Sequence, residues 1–432
     1  MKKVEPLAVP VTDDVPQSYG FEPCEGGVCA AEGMLAAGIS AGFRKNPQRK
    51  DLALVAAEES CVCAATFTQN RFCAAPVQVS RERAAAGHAR AVVLNSGNAN
   101  AATGEKGLEV AYQSAALVAS ALGCDESEVL VASTGVIGVQ LPLDPFEVGV
   151  PAAAQALVHS AAAAHDAACA VMTTDTVPKE VSFSGQVPCG LGGAPVTIHV
   201  GGFVKGSGMI QPNMATMLAV LSTDAPLTSE AAHAALLAAV GQTFNKVTVD
   251  SDTSTNDSCF LFATGKAAGG ITEPIDLDSP AYPQVAAAIR GVCGDLARKI
   301  AADGEGSTKL VTVYVTGAAS QADADTVARS IANSPLVKTA IFGHDANWGR
   351  VAAAAGKCGV PFDQYAVDID FMGVPVLRAG LPLAMDEDDM LCRFEAPEID
   401  IVISLGAGEF FSRMWTCDLT HDYVRINGEY RT

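Results

Sequence analysis

The 432-residue sequence lacks the features that define several large classes of protein. No apolar run is long enough to span a bilayer, and the stretch MKKVEPLAVPVTDD has neither the apolar segment nor the cleavage site of a signal peptide. The 28 lysines and arginines are outnumbered by 48 aspartates and glutamates, which gives a formal charge of −20. This charge argues against nucleic-acid binding, and together these absences lead us to expect a cytoplasmic protein with no membrane or nucleic-acid partner.

The motifs of common metal and nucleotide sites are also missing. The seven histidines form no HExxH pattern, and no GxxxxGK[ST] or GxGxxG string occurs. Cys61 and Cys63 lie close together, as do Cys24 and Cys29, but neither pair has the matching second pair that a zinc site needs. The 13 cysteines are better explained as buried, reduced thiols. We expect neither a metal nor a cofactor.

The most informative stretch is KGSGMIQPNMATML, Lys205 to Leu218. Its glycines and its proline favour a bent loop, and the apolar run that follows predicts a buried strand. If the Ala215–Thr216 bond were cut, Thr216 would carry a hydroxyl and a free α-amine on one residue, and that amine could act as the base for its own hydroxyl. The alternative is an ordinary threonine at the start of a strand.

A second candidate is VLVASTGVIGVQLP, a predicted strand that ends in a glycine turn. Thr134 offers a hydroxyl and Gly135 a backbone N–H with no Cβ beside it. Two such donors can converge on one developing negative charge, which is what an oxyanion hole requires. Taken alone, the string also fits an ordinary turn. The preceding AVVLNSGNANAATGEKG predicts a strand, an asparagine-rich loop and a helix, for which a phosphate-cradling loop is the alternative.

Three further side chains could contact a substrate. Thr173 belongs to MTTDTVPKE, which would otherwise be a capping cluster; Lys205 could pair with a carboxylate; and Glu305, between two glycines, could receive an ammonium group. The remaining pattern predicts an α/β protein with a long alanine-rich helix over 146–172, a hairpin over 181–206 and a strand at Ile341.

From about Gly33 to Thr432, these strings resemble, in order, those of the ornithine acetyltransferase family, the bifunctional glutamate N-acetyltransferases of arginine biosynthesis. The resemblance implies an α+β layered sandwich of the self-processing amino-terminal-nucleophile type. It implies cleavage between Ala215 and Thr216 into an alpha chain, 1–215, and a beta chain, 216–432. It also implies that Thr216 is the nucleophile and that Thr134 and Gly135 form the oxyanion hole. Asn256 or Asp257 would organise the site. The implied substrate contacts are Thr173, Lys205, Thr216, Glu305, Asn427 and Thr432.

The activity that this resemblance implies is transfer of the acetyl group of N²-acetyl-L-ornithine to L-glutamate through an acetyl-threonine. The implied partners are these two amino acids and the two cleaved chains, assembled as a heterotetramer of two alpha and two beta chains. Acetyl-CoA as a second donor is left open, as is the role of the extra residues between Val187 and Pro195. The alternatives are an amino-terminal-nucleophile amidohydrolase or aminopeptidase with the same cleavage, and a non-catalytic binding protein.

Overall fold

The computed structural model describes residues 4–10, 16–188, 195–211, 217–267 and 273–429. Their contacts divide them into two compact units. The larger unit consists of 16–245, 253–267 and 273–296, with the gaps just given. The smaller unit consists of 4–10, 246–252 and 297–429. Within these ranges no helix is long and apolar enough to cross a membrane. The cysteines described there are free thiols, but only six of these twelve are buried and Cys392 is exposed, so the prediction of buried thiols holds for half of them.

The larger unit is built on one twisted sheet. Its strands in the described ranges are β1 (Phe21–Pro23), β2 (Met34–Ile39), β3 (Leu52–Phe67), β4 (His88–Asn98), β5 (Val129–Val136), β6 (Lys179–Val187), β7 (Val196–Lys205), β8 (Leu218–Thr223) and β9 (Ser258–Ala263). They pair in the order β1-β6-β7-β8-β9-β3-β4-β5, and β2 pairs with β3 beside this path. The pairs β4–β5 and β8–β9 are parallel, whereas β6–β7 and β7–β8 are antiparallel. The predicted hairpin and the predicted buried strand are therefore both present.

Helices cover both faces of this sheet. They are α1 (Ala75–Ala84), α2 (Gly104–Leu122), α3 (Asp144–Ala156), α4 (Ala161–Val171), α5 (Ser229–Gln242) and α6 (Tyr282–Ala302), the last of which contains the boundary between the units. Along β3, Leu52 and Leu54 pack with α1, α2 and α3, while Ala53 and Val55 pack with α4. A strand buried on both faces needs a continuous apolar run, and this is why LALVAA shows no alternation.

The prediction of one long helix over 146–172 was wrong. The chain leaves the helical path after Ala156, and Val158 forms an isolated bridge to Ala36. Ser160 then begins α4 by accepting a hydrogen bond from the backbone N–H of Ala163. Alanine propensity favoured continuation, but a side-chain cap and a backbone bridge provide hydrogen-bonding partners for a break.

The smaller unit has a mixed sheet with helices. Its strands in the described ranges are β10 (Leu310–Ala318), β11 (Asp368–Phe371), β12 (Val374–Arg378), β13 (Leu381–Pro382), β14 (Glu398–Ser404) and β15 (Phe410–Cys417), paired as β13-β12-β11-β14-β10-β15. Its helices there are α7 (Gln321–Ala332), α8 (Pro335–Phe342), α9 (Trp348–Gly356), α10 (Glu387–Arg393) and α11 (His421–Glu429). The chain is thus an α/β protein, and this fold class is confirmed.

The predicted strand at Ile341 is instead the last turn of α8. Ser334 caps this helix and Pro335 occupies its first turn, where the missing N–H of proline costs nothing. Val337 and Ile341, four residues apart, both face the core. The short apolar run was compatible with either element, and the Ser-Pro start favours the helix.

Candidate active site

Thr134 and Gly135 lie near the carboxyl end of β5, beside its parallel neighbour β4. Gly135 pairs with Gly97, where the register is interrupted by a bulge. The φ angle of Gly135 is +133°, and a Cβ there would come within 2.3 Å of the Gly97 carbonyl carbon and 2.5 Å of the Asn98 nitrogen. Only glycine fits at this position, so the sequence Thr-Gly is set by backbone geometry as well as by any chemistry.

Buried amides hold this end of the two strands in place. The Ser133 hydroxyl donates to Asn95 Oδ1 at 2.6 Å, and Asn95 Nδ2 donates to the Asn98 carbonyl at 3.0 Å. Asn98 in turn uses Oδ1 to accept from the Asn100 N–H at 2.7 Å. Asn95 and Asn98 therefore satisfy backbone groups of the irregular loop at the end of β4.

The segment 255–258 joins this end of β5 to the strand that follows the loop of Thr216. Asn256 Nδ2 donates to the Ser133 carbonyl at 2.9 Å and also to the carbonyl of Ala99. Two residues on, the Ser258 N–H donates to the Met217 carbonyl at 2.9 Å, and β9 runs parallel to β8 from there. One short segment thus contacts both the end of β5 and the residue next to Thr216.

Ala215, Thr216 and Thr432 lie outside the described residues, and so does most of the insertion between Val187 and Pro195. The described part of the Thr216 loop, 206–211, leaves β7 after Lys205. Ile210 forms a bridge with Thr253, whose hydroxyl donates to the Gln211 carbonyl at 2.9 Å.

Lys205 belongs to a buried group of charges. Asp175 is almost inaccessible, as is Lys179, whose Nζ donates to Asp175 Oδ1 at 2.7 Å. The same carboxylate accepts from the Gly206 N–H at 2.7 Å and from the Thr173 N–H at 3.0 Å. Burial alone would raise the pKa of Asp175, but the charges of Lys205 and Lys179 and these hydrogen bonds hold it well below its usual range. Asp175 is therefore ionised and ties the Thr173 turn to the Lys205 loop.

Two arginines hold the other side of the Thr173 turn. Arg49 donates to the Thr173 carbonyl at 2.6 Å, and Arg44 donates to the Met172 carbonyl and, at 3.2 Å, to the Ser96 hydroxyl. The larger unit therefore brings Thr173, Lys205 and the strand of Thr134 into one hydrogen-bonded network. Sequence reasoning missed Asp175, Lys179, Arg44 and Arg49, although the charges in MTTDTVPKE were a visible signal.

In the smaller unit, Glu305 and Asn427 meet. Asn427 Nδ2 donates to Glu305 Oε2 at 2.7 Å and to the Tyr423 carbonyl at 3.1 Å. Gly306 has φ +68°, and a Cβ on it would come within 2.5 Å of the Tyr423 nitrogen, so the glycine lets the loop approach α11. Two residues that are more than a hundred positions apart in sequence, and were both predicted to contact substrate, are thus adjacent.

The surroundings of Glu305 are strongly negative. Burial raises the pKa of the Tyr423 phenol well above its usual range, and the charges of Asp250, Glu305 and Asp252 raise it further. Glu305 itself is only 8% exposed. A buried carboxylate in a negative field suits a cationic ligand group such as an ammonium.

The fold and these groups define a class: an α/β protein with hydroxyl, backbone N–H and buried lysine groups of the kind that acyl-transfer centres use. In the described part of the chain no cluster of three or more His, Cys, Asp or Glu side chains could hold a metal. The sequence matches the ArgJ family over residues 35–432. The chain belongs to this family.

Two relatives match almost the whole chain, and one solved structure matches half of it. The arginine biosynthesis bifunctional protein ArgJ of Symbiobacterium thermophilum is 47% identical over 408 residues, which cover 94% of this chain and 99% of that protein. The chloroplastic protein of the same name from Physcomitrium patens is 42% identical over 430 residues, 98% of this chain and 81% of that protein. A crystal structure of ArgJ from Bacillus halodurans is 41% identical, with a TM-score of 0.48 over 50% of this chain and 100% of that one.

Proposed function

We propose that this chain is a self-cleaving acetyltransferase of arginine biosynthesis, which moves the acetyl group of N²-acetyl-L-ornithine to L-glutamate. The observation that carries the proposal is the segment 255–258, which through Asn256 and Ser258 contacts both Ser133, beside Thr134, and Met217, beside Thr216. A nucleophile and an oxyanion hole must be held in fixed relation, and this segment contacts the chain neighbour of each proposed group. Family membership and the names of the relatives favour this activity over the amidohydrolase alternative.

Maturation is proposed to begin when Thr216 Oγ attacks the Ala215 carbonyl. The N-to-O acyl shift breaks the amide bond, which frees the α-amine of Thr216 and leaves Ala215 as an ester on Oγ. Water then hydrolyses this ester to the Ala215 carboxylate and the Thr216 hydroxyl. The products are an alpha chain, 1–215, and a beta chain, 216–432. The larger unit contains residues from both, and β8 and β9 of the beta chain lie between β7 and β3 of the alpha chain. This arrangement supports continued association of the chains, and we propose their assembly as a heterotetramer in the cytoplasm.

In turnover, Thr216 Oγ attacks the acetyl carbonyl of N²-acetyl-L-ornithine, with Thr134 and Gly135 donating to the oxyanion. Lys205 and Thr173 contact the substrate from the network around Asp175, while Glu305, with Asn427, receives the ammonium group of ornithine; Thr432 is a further contact. Ornithine leaves, and glutamate then takes the acetyl group from the threonine ester. This two-step cycle splits one difficult transfer into two easier ones. Because the relatives are named bifunctional, we also propose acetyl-CoA as a second donor.

The test is a denaturing mass spectrum of the purified protein with and without N-acetylornithine. Two chains are expected, with an acetyl-sized mass gain only on the chain that starts at Thr216, and glutamate should remove the gain. Thr216→Ala should give one intact chain with no adduct; processed and active Thr216→Ala protein would refute the mechanism. Loss of the adduct at the same rate without glutamate would instead support the amidohydrolase.

A further inference from the structure

A cavity of about 800 Å³ in the larger unit is lined by residues that have no role in the mechanism above. It is bounded by the end of β3, by the loop 68–73 and by α1. Both of its charged side chains are arginines, Arg71 and Arg81, and its lining also includes the ring of Phe67 and the amides of Asn70 and Gln78. Its volume falls in the range of small-molecule binding sites.

The charge of this cavity is positive. Arg81 donates to the Thr68 carbonyl at 3.0 Å, and its guanidinium lies 5.6 Å from the centre of the Phe67 ring. Arg71 is exposed, and among the described residues that line the cavity none is acidic. In a chain with 48 acidic and 28 basic residues, such a place attracts anions. Phosphate is the anion that arginine suits best, because a guanidinium can donate two parallel hydrogen bonds to it.

A second cavity, of about 410 Å³, continues the first. The two cavities share Arg71, Cys73 and Gln78 in their linings. The ring of Phe72, which is 62% exposed, lines the second cavity, and Glu105 lines only this one. The positive charge is therefore concentrated in the first cavity. A ligand that fills both must be long, with its anionic groups at one end.

Both cavities border segments that are bonded to the proposed catalytic elements. In the first cavity, Asn70 Nδ2 donates to the Thr253 carbonyl at 2.8 Å, and the Thr253 hydroxyl donates to the Gln211 carbonyl in the loop that precedes the proposed nucleophile. The lining of the second cavity follows directly on Ala101, whose carbonyl accepts from the Gly138 N–H at 2.9 Å, two residues beyond β5. A ligand in these cavities is thus held between the nucleophile loop and the oxyanion strand.

We propose that the two cavities bind acetyl-CoA, with its nucleotide phosphates at Arg71 and Arg81. The inference rests on the second acetyl donor proposed above and gives that donor a site. N-acetylornithine and glutamate are small and carry only carboxylates, whereas acetyl-CoA has phosphates, an adenine ring and a long arm that ends in the thioester. The arginines match the phosphates, and the exposed ring of Phe72 offers a surface on which adenine can stack.

The test is a calorimetric titration of the purified protein with CoA as the probe. Loss of a charge-assisted hydrogen bond to phosphate in Arg71→Gln should weaken CoA binding by about tenfold or more, and the charge reversal Arg71→Glu should weaken it further. Arg393→Gln is the matched control, because it removes the same charge from an exposed pair with Asp389, and it should bind CoA as wild type does. Equal affinity of wild type and both Arg71 variants, or no CoA binding by wild type, overturns the inference.

Steady-state kinetics separate this role from a structural one. In Arg71→Gln the KM for acetyl-CoA, with glutamate as the acceptor, should rise by about tenfold or more. The KM for N-acetylornithine, which carries no phosphate, should change by less than about twofold. Equal rises for both donors would show a distorted loop and overturn the inference. Tighter binding of ATP than of CoA would also overturn it, because the cavity would then select a different nucleotide.

A failure of the proposed function gives a different result. Wild-type protein that stays uncut, or that transfers no acetyl group from N-acetylornithine to glutamate, refutes that function, whereas CoA binding is measured without turnover and decides the inference by itself. Wild-type protein that uses N-acetylornithine but neither binds CoA nor takes the acetyl group of acetyl-CoA refutes the inference and leaves the transfer from ornithine intact.

Discussion

Asp175→Asn tests whether the buried charges around Lys205 organise the site. The carboxylate is bonded to Lys179 Nζ and to the N–H groups of Gly206 and Thr173. Asparagine keeps the shape and one acceptor oxygen but leaves the Lys179 ammonium buried without its counter-charge. Breaking a buried ion pair from one side costs about 3–5 kcal/mol, and we expect the lower end because one acceptor remains.

A loss of about 3 kcal/mol should lower the thermal midpoint by about 6–12 °C for a unit of this size. Loss of the charged hydrogen bonds to the two loops should lower kcat/KM for N-acetylornithine by about 10- to 100-fold. Differential scanning calorimetry and steady-state kinetics measure the two effects. Asp389→Asn is the control, because Asp389 pairs with Arg393 on an exposed helix and its variant should change stability by less than about 1 kcal/mol.

A double variant separates stability from positioning. Adding Lys179→Met to Asp175→Asn removes the buried ammonium that has lost its counter-charge, so part of the stability should return while kcat/KM stays low.

The dependence of stability on pH has a fixed sign. Because the pKa of Asp175 is lowered in the folded chain, its stabilisation is present above the unfolded value of about 3.9 and is lost as the pH falls below it. If Asp175→Asn has a thermal midpoint within about 2 °C of wild type and an unchanged kcat/KM, the reasoning is refuted.

Two other substitutions probe the two units separately. Gly135→Ala places a Cβ against the Gly97 and Asn98 backbone at φ +133°, so it should cost about 1–3 kcal/mol of stability by strain and lower kcat by about 100-fold or more. The control Gly138→Ala has open space around its Cβ and should affect stability only. If the two variants have equal effects in thermal melts and in kinetics, the oxyanion assignment is wrong. Glu305→Gln should raise the KM for N-acetylornithine about 10- to 100-fold, because a charge-assisted hydrogen bond to the substrate is lost. The control Glu398→Gln, at an exposed pair with Arg298, should leave KM unchanged. An unchanged KM in Glu305→Gln would count against the ammonium contact.

The elements that sequence predicted best are those whose pattern reflects local physics. β8 follows from an uninterrupted apolar run, which predicted a buried strand. Gly135 could also be singled out, because a glycine at the end of a predicted strand marks special backbone geometry. The break at Ser160 was missed because alanine propensity is strong and the bridge from Val158 to Ala36 is not local.

Sequence predicted only those site residues that lie in a recognised motif. Asp175 and Lys179 are four positions apart on a non-helical turn, so no helical rule pairs them. Their contact depends on the register that places Lys179 opposite Val204 in β6–β7, beside Lys205. Asn256 was expected to organise the site, and its contacts with Ser133 and Ala99 agree with that expectation, although they arise from the packing of β9 and not from sequence spacing.

The sheet order also explains how a chain could be cut inside its core without falling apart. β8 pairs with β7 over six residue pairs from Val200–Thr223 to Lys205–Leu218, and β9 pairs with β3 over six more from Val62–Ala263 to Phe67–Ser258. Both pairings join residues on opposite sides of the proposed cut. Hydrolysis at Ala215–Thr216 would therefore break one covalent bond and none of these ladders.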